Sequence, residues 1–107
     1  MNLADKRCQA DVVSLSPVEA NRLAQEVPEW SLGDQAIERE FKLKDFRQAM
    51  DFVNKVADIA EEQDHHPDIF ISYNKVRLTL STHKVGGLSQ NDFILAAKID
   101  QLVDKRV

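Results

Sequence analysis

Across residues 45–62, Phe46, Ala49, Met50, Val53, Val56, Ala57 and Ala60 recur at the three- and four-residue spacing of a helix with one buried side. Asp45, with Gln48 three positions on, supplies the N-terminal cap. A helix with such a stripe needs a second apolar surface to lie across. The flanking sequence provides one. Residues 36–43 alternate Ile37, Phe41 and Leu43 against Glu38, Glu40 and Lys42, with Arg39 interrupting the apolar set. Trp30 to Leu32 alternates ahead of a Gly33-Asp34 turn, which makes these two stretches a hairpin. Downstream, 68–73 reads as a strand and Asn74-Lys75 as a turn. Val76, Leu78, Leu80 and Thr82 then alternate with Arg77, Thr79, Ser81 and His83, completing a second hairpin in which His83 falls with the polar set.

Two shorter helices frame these units. Ser16, Pro17 and Glu19 form a capped start, Val18, Leu23 and Val27 give the apolar side, and Pro28 ends the helix. After Gly86-Gly87, Ser89 and Asp92 open a last helix carrying Phe93, Ala96, Ala97, Ile99, Leu102 and Val103, with Lys105 and Arg106 suiting the dipole at its end. The expected fold is α+β: a four-stranded antiparallel sheet with three helices on one face, in the order α-β-β-α-β-β-α. Residues 1–14 are polar and unpatterned and are expected to be a loose tail, leaving 15–107 as a single domain.

Charge and composition narrow the partners. The net charge of −4 lacks the basic footprint of a nucleic-acid binder and does not suit an anionic membrane surface. The chain has no apolar run long enough to span a membrane, and its first residues lack the apolar core of a signal peptide. Cys8 is the single cysteine, so no intrachain disulfide forms, which fits a reducing, cytoplasmic setting. Cys8 itself receives no role.

All three histidines, His65, His66 and His83, fall within 61–92. Pro67 disfavours helix at His66, so the adjacent pair sits at a helix-to-strand junction. A hairpin turning at Asn74-Lys75 brings residues equally far on either side together, so His65 or His66 meets His83. Glu61 and Asp64 arrive with the pair, and Asp92 arrives through the Gly-Gly turn. Three readings compete. The histidines could merely decorate a loop, but three converging with carboxylates count against that bland reading, since paired titrating groups cluster at functional sites. They could ligate zinc with a carboxylate, but adjacent histidines are poorly placed for one ion and match no helical ligand spacing. They could exchange protons without a metal, since imidazoles give and take protons near neutral pH. Spacing favours the third over the second. Asp92 is by position a helix-capping residue, and that role is compatible with a place in the site. Trp30 reads as core, though an indole could also floor a pocket for a flat ring. Neither a complete phosphate-binding glycine loop nor a nucleophile elbow around Ser81 or Ser89 is present.

The run Glu61-x-x-Asp64-His65-His66-Pro67, then Tyr73-Asn74-Lys75-Val76, Thr82-His83, Gly87-Leu88 and Asp92 resembles the signature of the pterin-4a-carbinolamine dehydratases. Trp30 resembles the family's tryptophan between first helix and first strand. Where many animal members carry Glu-Trp after His-His-Pro, this chain has Asp68-Ile69. The resemblance implies elimination of water from a 4a-hydroxytetrahydropterin to give the quinonoid dihydropterin, which supports tetrahydrobiopterin recycling after aromatic hydroxylation. It implies His65 and His83 as the proton-transfer pair and His66 as a catalytic-site residue that orients the pterin. It implies substrate contacts from Glu61, Asp64, Asp92 and Trp30, and neither metal nor redox cofactor. It also implies a homodimer or homotetramer, with sheet edges available for pairing. The alternative it carries is a non-catalytic binding or assembly module on the same fold, like the members that act as transcription coactivators.

Overall fold

The structure is a computed structural model that describes residues 2–104. The helices are α1 (Pro17–Ala24), α2 (Phe46–Gln63) and α3 (Gln90–Asp104). The strands are β1 (Ser31–Leu32), β2 (Ile37–Lys42), β3 (Asp68–Ser72) and β4 (Lys75–Leu80). Single turns of 3-10 helix cover Leu3–Asp5 and His83–Val85. The strands pair antiparallel in the order β1-β2-β4-β3, and the three helices cover one face. The α+β architecture and its element order are as the sequence patterns require. Lys105 and Arg106 lie outside the described residues.

Ile37 and Phe41 from β2, with Val76, Leu78 and Leu80 from β4, form the buried face of the sheet. Arg39 interrupts that face because its Nη1 donates to Asp100 Oδ1 at 2.6 Å, and its guanidinium stacks 4.4 Å from the Phe41 ring. The ion pair compensates the charge that the alternation brings inward. On the wet face, Thr79 and Arg77 both meet Glu38 across the strands.

The caps form where the residues call for them. Ser16 accepts from the Glu19 amide and Asp45 from the Gln48 amide. The buried stripe of α2 is rotated from the expected one. It runs through Ala49, Phe52, Val56, Ala60 and Gln63, while Phe46 and Ala57 face outward. The β3–β4 turn also shifts by one residue. Ser72 pairs with Lys75, so the turn is Tyr73-Asn74, and Tyr73 rather than an asparagine takes the left-handed conformation. Asn74 is committed elsewhere: its side chain donates to the Leu43 carbonyl, and its own carbonyl accepts from the Leu43 amide.

The first residues depart most from the expected loose tail. Leu3 and Ala4 are buried, and Lys98 of α3 donates to the Ala4 carbonyl at 2.8 Å. The cause lies in α3. Phe93, Ile94, Leu95, Ala96 and Ala97 are consecutive and all buried, so apolar side chains leave this helix in every direction. Such a helix needs cover beyond the sheet and α2. The turn Leu3–Asp5 packs on α3 and supplies it. Burying Leu3 contributes roughly 1.5–3 kcal/mol.

Candidate active site

The end of α2 is shaped to aim a histidine. Asp64 closes the helix in the left-handed conformation (φ 52°), where glycine is the usual occupant and a short polar side chain is tolerated. Its amide donates to the Glu61 carbonyl, and the next amide, that of His65, reaches back to the Ala60 carbonyl at 3.2 Å. This pair of bonds reverses the chain, and Pro67 then feeds it into β3. His65 is thereby turned inward and His66 outward.

His65 Nε2 lies 2.6 Å from Asp92 Oδ1. A carboxylate only accepts, so Nε2 carries the proton in this bond and Nδ1 is the free nitrogen of the neutral ring. Asp92 is fully buried and accepts two further bonds at Oδ2, from the Thr82 hydroxyl at 2.9 Å and the Ser89 amide at 3.0 Å. The Ser89 amide bond is half of the expected capping box. In the other half, Ser89 Oγ accepts from the Asn91 amide at 3.2 Å, one residue short of the standard partner. Thr82 Oγ1 and Ser89 Oγ are 2.7 Å apart. The cap of α3 and the support of His65 are therefore one network.

His83 is exposed and makes no side-chain hydrogen bond with the described residues. Its turn is closed by Gly86 in the left-handed conformation (φ 71°), and paired bonds between Thr82 and Gly87 pin the loop at its base. His66 Nε2 meets Glu61 Oε2 at 2.7 Å, with both side chains largely solvent-exposed. An exposed pair of this kind adds little stability.

These residues surround a cleft of about 540 Å³. Its lining comes from four places: residues 62–66 at the end of α2, residues 81–84 after β4, Asn91 on α3, and residues 7–10 of the N-terminal segment. All three histidines and Asp64 line it. Glu61 reaches it through His66, and Asp92 stands behind His65. Trp30 does not line it. Its indole Nε1 donates to Asp100 at 2.8 Å, and its ring meets Phe41 edge-on at 6.1 Å, deep in the core. Among the described residues, no three His, Cys, Asp or Glu side chains are grouped so as to hold a metal ion.

Sequence reasoning quoted Thr82 without giving it a site role, and missed Asn91, Gln63 and residues 7–10. The amides of Gln63 and Asn91 are buried yet bonded: Gln63 Oε1 accepts from the Cys8 amide, and Asn91 bonds both the amide and the carbonyl of Gln9. Burial pushes the Cys8 thiol up from 9.0 to about 11; Lys98 and Arg7 oppose the rise and Asp92 adds to it. A raised thiol pKa keeps the neutral form, so native Cys8 holds about 100-fold less thiolate at pH 8 than an ordinary thiol. Alkylation by iodoacetamide is expected to run at least about tenfold slower in the native protein than in urea, and to keep rising with pH beyond 9. Equal native and unfolded rates would contradict this.

This small α+β fold backs a cleft histidine with a buried carboxylate and sets a second histidine in the same cleft. The family model described as pterin 4 alpha carbinolamine dehydratase matches residues 13–102, and the chain belongs to that family. A Halorhodospira halophila protein provisionally named pterin-4-alpha-carbinolamine dehydratase is 46% identical, covering 95% of this chain and 98% of its own length. A Picosynechococcus protein with the same provisional name is 53% identical, covering 82% of this chain and 96% of its own. The crystal structure of a Brucella melitensis protein, described as a transcriptional coactivator/pterin dehydratase, superposes with a TM-score of 0.79 at 37% identity. It covers 83% of this chain and 97% of that one. Among the described residues no helix is long and apolar enough to cross a membrane.

Proposed function

We propose that this protein dehydrates a 4a-hydroxytetrahydropterin to the quinonoid dihydropterin by histidine acid–base catalysis, without a metal or redox cofactor. The observation that carries the reading is the 2.6 Å bond from His65 to the fully buried Asp92, on the wall of a cleft that His83 shares. The 4a-hydroxyl leaves as water once protonated, and a ring N–H proton is removed. Asp92 stabilises the imidazolium that forms when Nδ1 of His65 accepts that proton. His83, with no carboxylate of its own, is the group that protonates the leaving hydroxyl. His66 and Glu61 hold the rim, and Asp64 offers an acceptor to pterin N–H groups. Trp30 keeps its ring in the core and supports the sheet rather than the pterin. In this role the enzyme serves tetrahydrobiopterin recycling in the cytoplasm. The sheet edge at β3, with Ile69, Phe70 and Tyr73 exposed, is available for a homodimer or homotetramer.

The non-catalytic alternative draws only on the coactivator half of the Brucella protein's description, and the network around Asp92 gives it no support. The test is direct. Purified protein added to chemically prepared carbinolamine is expected to speed the ultraviolet change that accompanies dehydration. A rate equal to that in buffer removes the proposal.

A further inference from the structure

We propose that residues 7–10 form a wall of the substrate site, held there by Gln63 and Asn91 acting as positioning residues. The inference rests on the reading of the cleft as a pterin site. Arg7, Cys8, Gln9 and Ala10 all line the cleft. This strap is fixed at several points. The Cys8 amide donates to Gln63 Oε1 at 2.8 Å, the Gln9 amide donates to Asn91 Oδ1 at 2.9 Å, and Asn91 Nδ2 donates to the Gln9 carbonyl at 2.7 Å. Lys84, next to His83, donates to the Ala10 carbonyl. Gln63 and Asn91 are 5% and 4% exposed, so releasing the strap would strand buried amide groups without partners.

The placement of the two amides links the strap to the histidines. Gln63 is the last residue of α2, two positions before His65, and Asn91 immediately precedes Asp92. The helix ends that aim the proton-transfer group therefore also anchor the strap. Arg7 and Gln9 bring hydrogen-bond donors to this wall, chemistry suited to the carbonyl or hydroxyl oxygens of a reduced pterin. Contacts of this kind are made equally in the ground state and the transition state, so they act on KM rather than kcat.

The test uses the full-length protein with Gln63→Ala and Asn91→Ala combined, and Gln63→Glu alone, which keeps the acceptor for the Cys8 amide. Each is assayed for carbinolamine dehydration and for Cys8 alkylation, the latter reporting the strap directly. The double variant is expected to alkylate and to raise KM by about tenfold or more each, with kcat within about threefold; Gln63→Glu is expected to stay near wild type in all three. A saturating, non-reacting 7,8-dihydropterin is expected to slow Cys8 alkylation in the wild type. If the double variant does not fold, Gln63→Ala alone is read by the same measurements. Faster alkylation with unchanged KM overturns the strap's place in the site. Unchanged alkylation overturns the holding role of the amides. A fall in kcat at constant KM assigns the amides to the histidines instead, and also overturns it. A wild type that neither dehydrates carbinolamine nor is protected by dihydropterin removes the pterin reading and this inference together, whereas an active wild type with any of the other failures leaves the pterin reading standing.

Discussion

His83→Ala is expected to slow carbinolamine dehydration about 10²- to 10⁴-fold, the usual worth of a positioned general acid or base. Its melting temperature is expected to stay close to that of the wild type. The two halves of this expectation come from the same observation. His83 is exposed, starts a single helical turn and bonds no described side chain, so removing its ring opens no cavity and strands no partner. Activity and stability are thereby separable at this position. His65→Ala is expected to lose activity to a similar degree but to melt lower, because Asp92 then loses one of its three donors. A His83→Ala rate within twofold of wild type, measured by ultraviolet kinetics, would falsify its assignment as the proton donor.

Asp92→Asn tests the network more sharply. The amide is nearly isosteric, but it replaces one acceptor oxygen with an NH2 group. The Ser89 amide cannot reverse its direction, so the remaining carbonyl oxygen must stay on that side. The NH2 group then faces His65 Nε2, which has to become an acceptor. The ring proton moves to Nδ1, and the nitrogen proposed to take a proton from substrate already holds one. A fall of about 10²- to 10⁴-fold in kcat is expected with only modest loss of stability, as for a histidine held in the wrong tautomer. Asp92→Ala leaves three donors without their partner, the buried Thr82 hydroxyl and Ser89 amide and the partly buried His65 Nε2, and at about 1–3 kcal/mol each the expected loss is about 3 kcal/mol or more. For a domain of this size that is a drop in melting temperature of ~12 °C or more. Full activity in Asp92→Asn would remove the tautomer argument.

Much of this was legible in residue order. Period-two and helical spacing located every strand and all three main helices, because those periods follow directly from which face is buried. The histidine junction was legible as well, since Pro67 and the hairpin both constrain it. Other features depend on pairings that sequence spacing does not encode. The left-handed residue of the β3–β4 turn is Tyr73 because Asn74 is engaged by Leu43, a long-range contact. Phe46 opens α2 yet faces outward, because the helix phase is set by Phe52, Val56 and Ala60 against the sheet. Trp30 is an indole donor satisfied by Asp100, and that partner is seventy residues away in the chain. The docked N-terminal segment did leave a trace: five consecutive buried residues on α3, from Phe93 to Ala97, call for cover on more than one side. Read in that light, a polar tail beginning with Leu3 and Ala4 becomes a candidate for covering it.

The hydroxyls beside Asp92 have only one direction available. The single Thr82 hydroxyl hydrogen points to Asp92, which only accepts, so Ser89 donates in the Thr82–Ser89 pair while its Oγ accepts from the Asn91 amide. Every hydrogen in the row is aimed inward at a carboxylate that solvent does not touch. Among the described residues, the row offers no outward step for a proton. The back of the His65 ring is thus insulated, and the ring exchanges protons with the outside world through its cleft side alone. On the proposed mechanism, a ligand that fills the cleft confines that exchange to itself until it leaves.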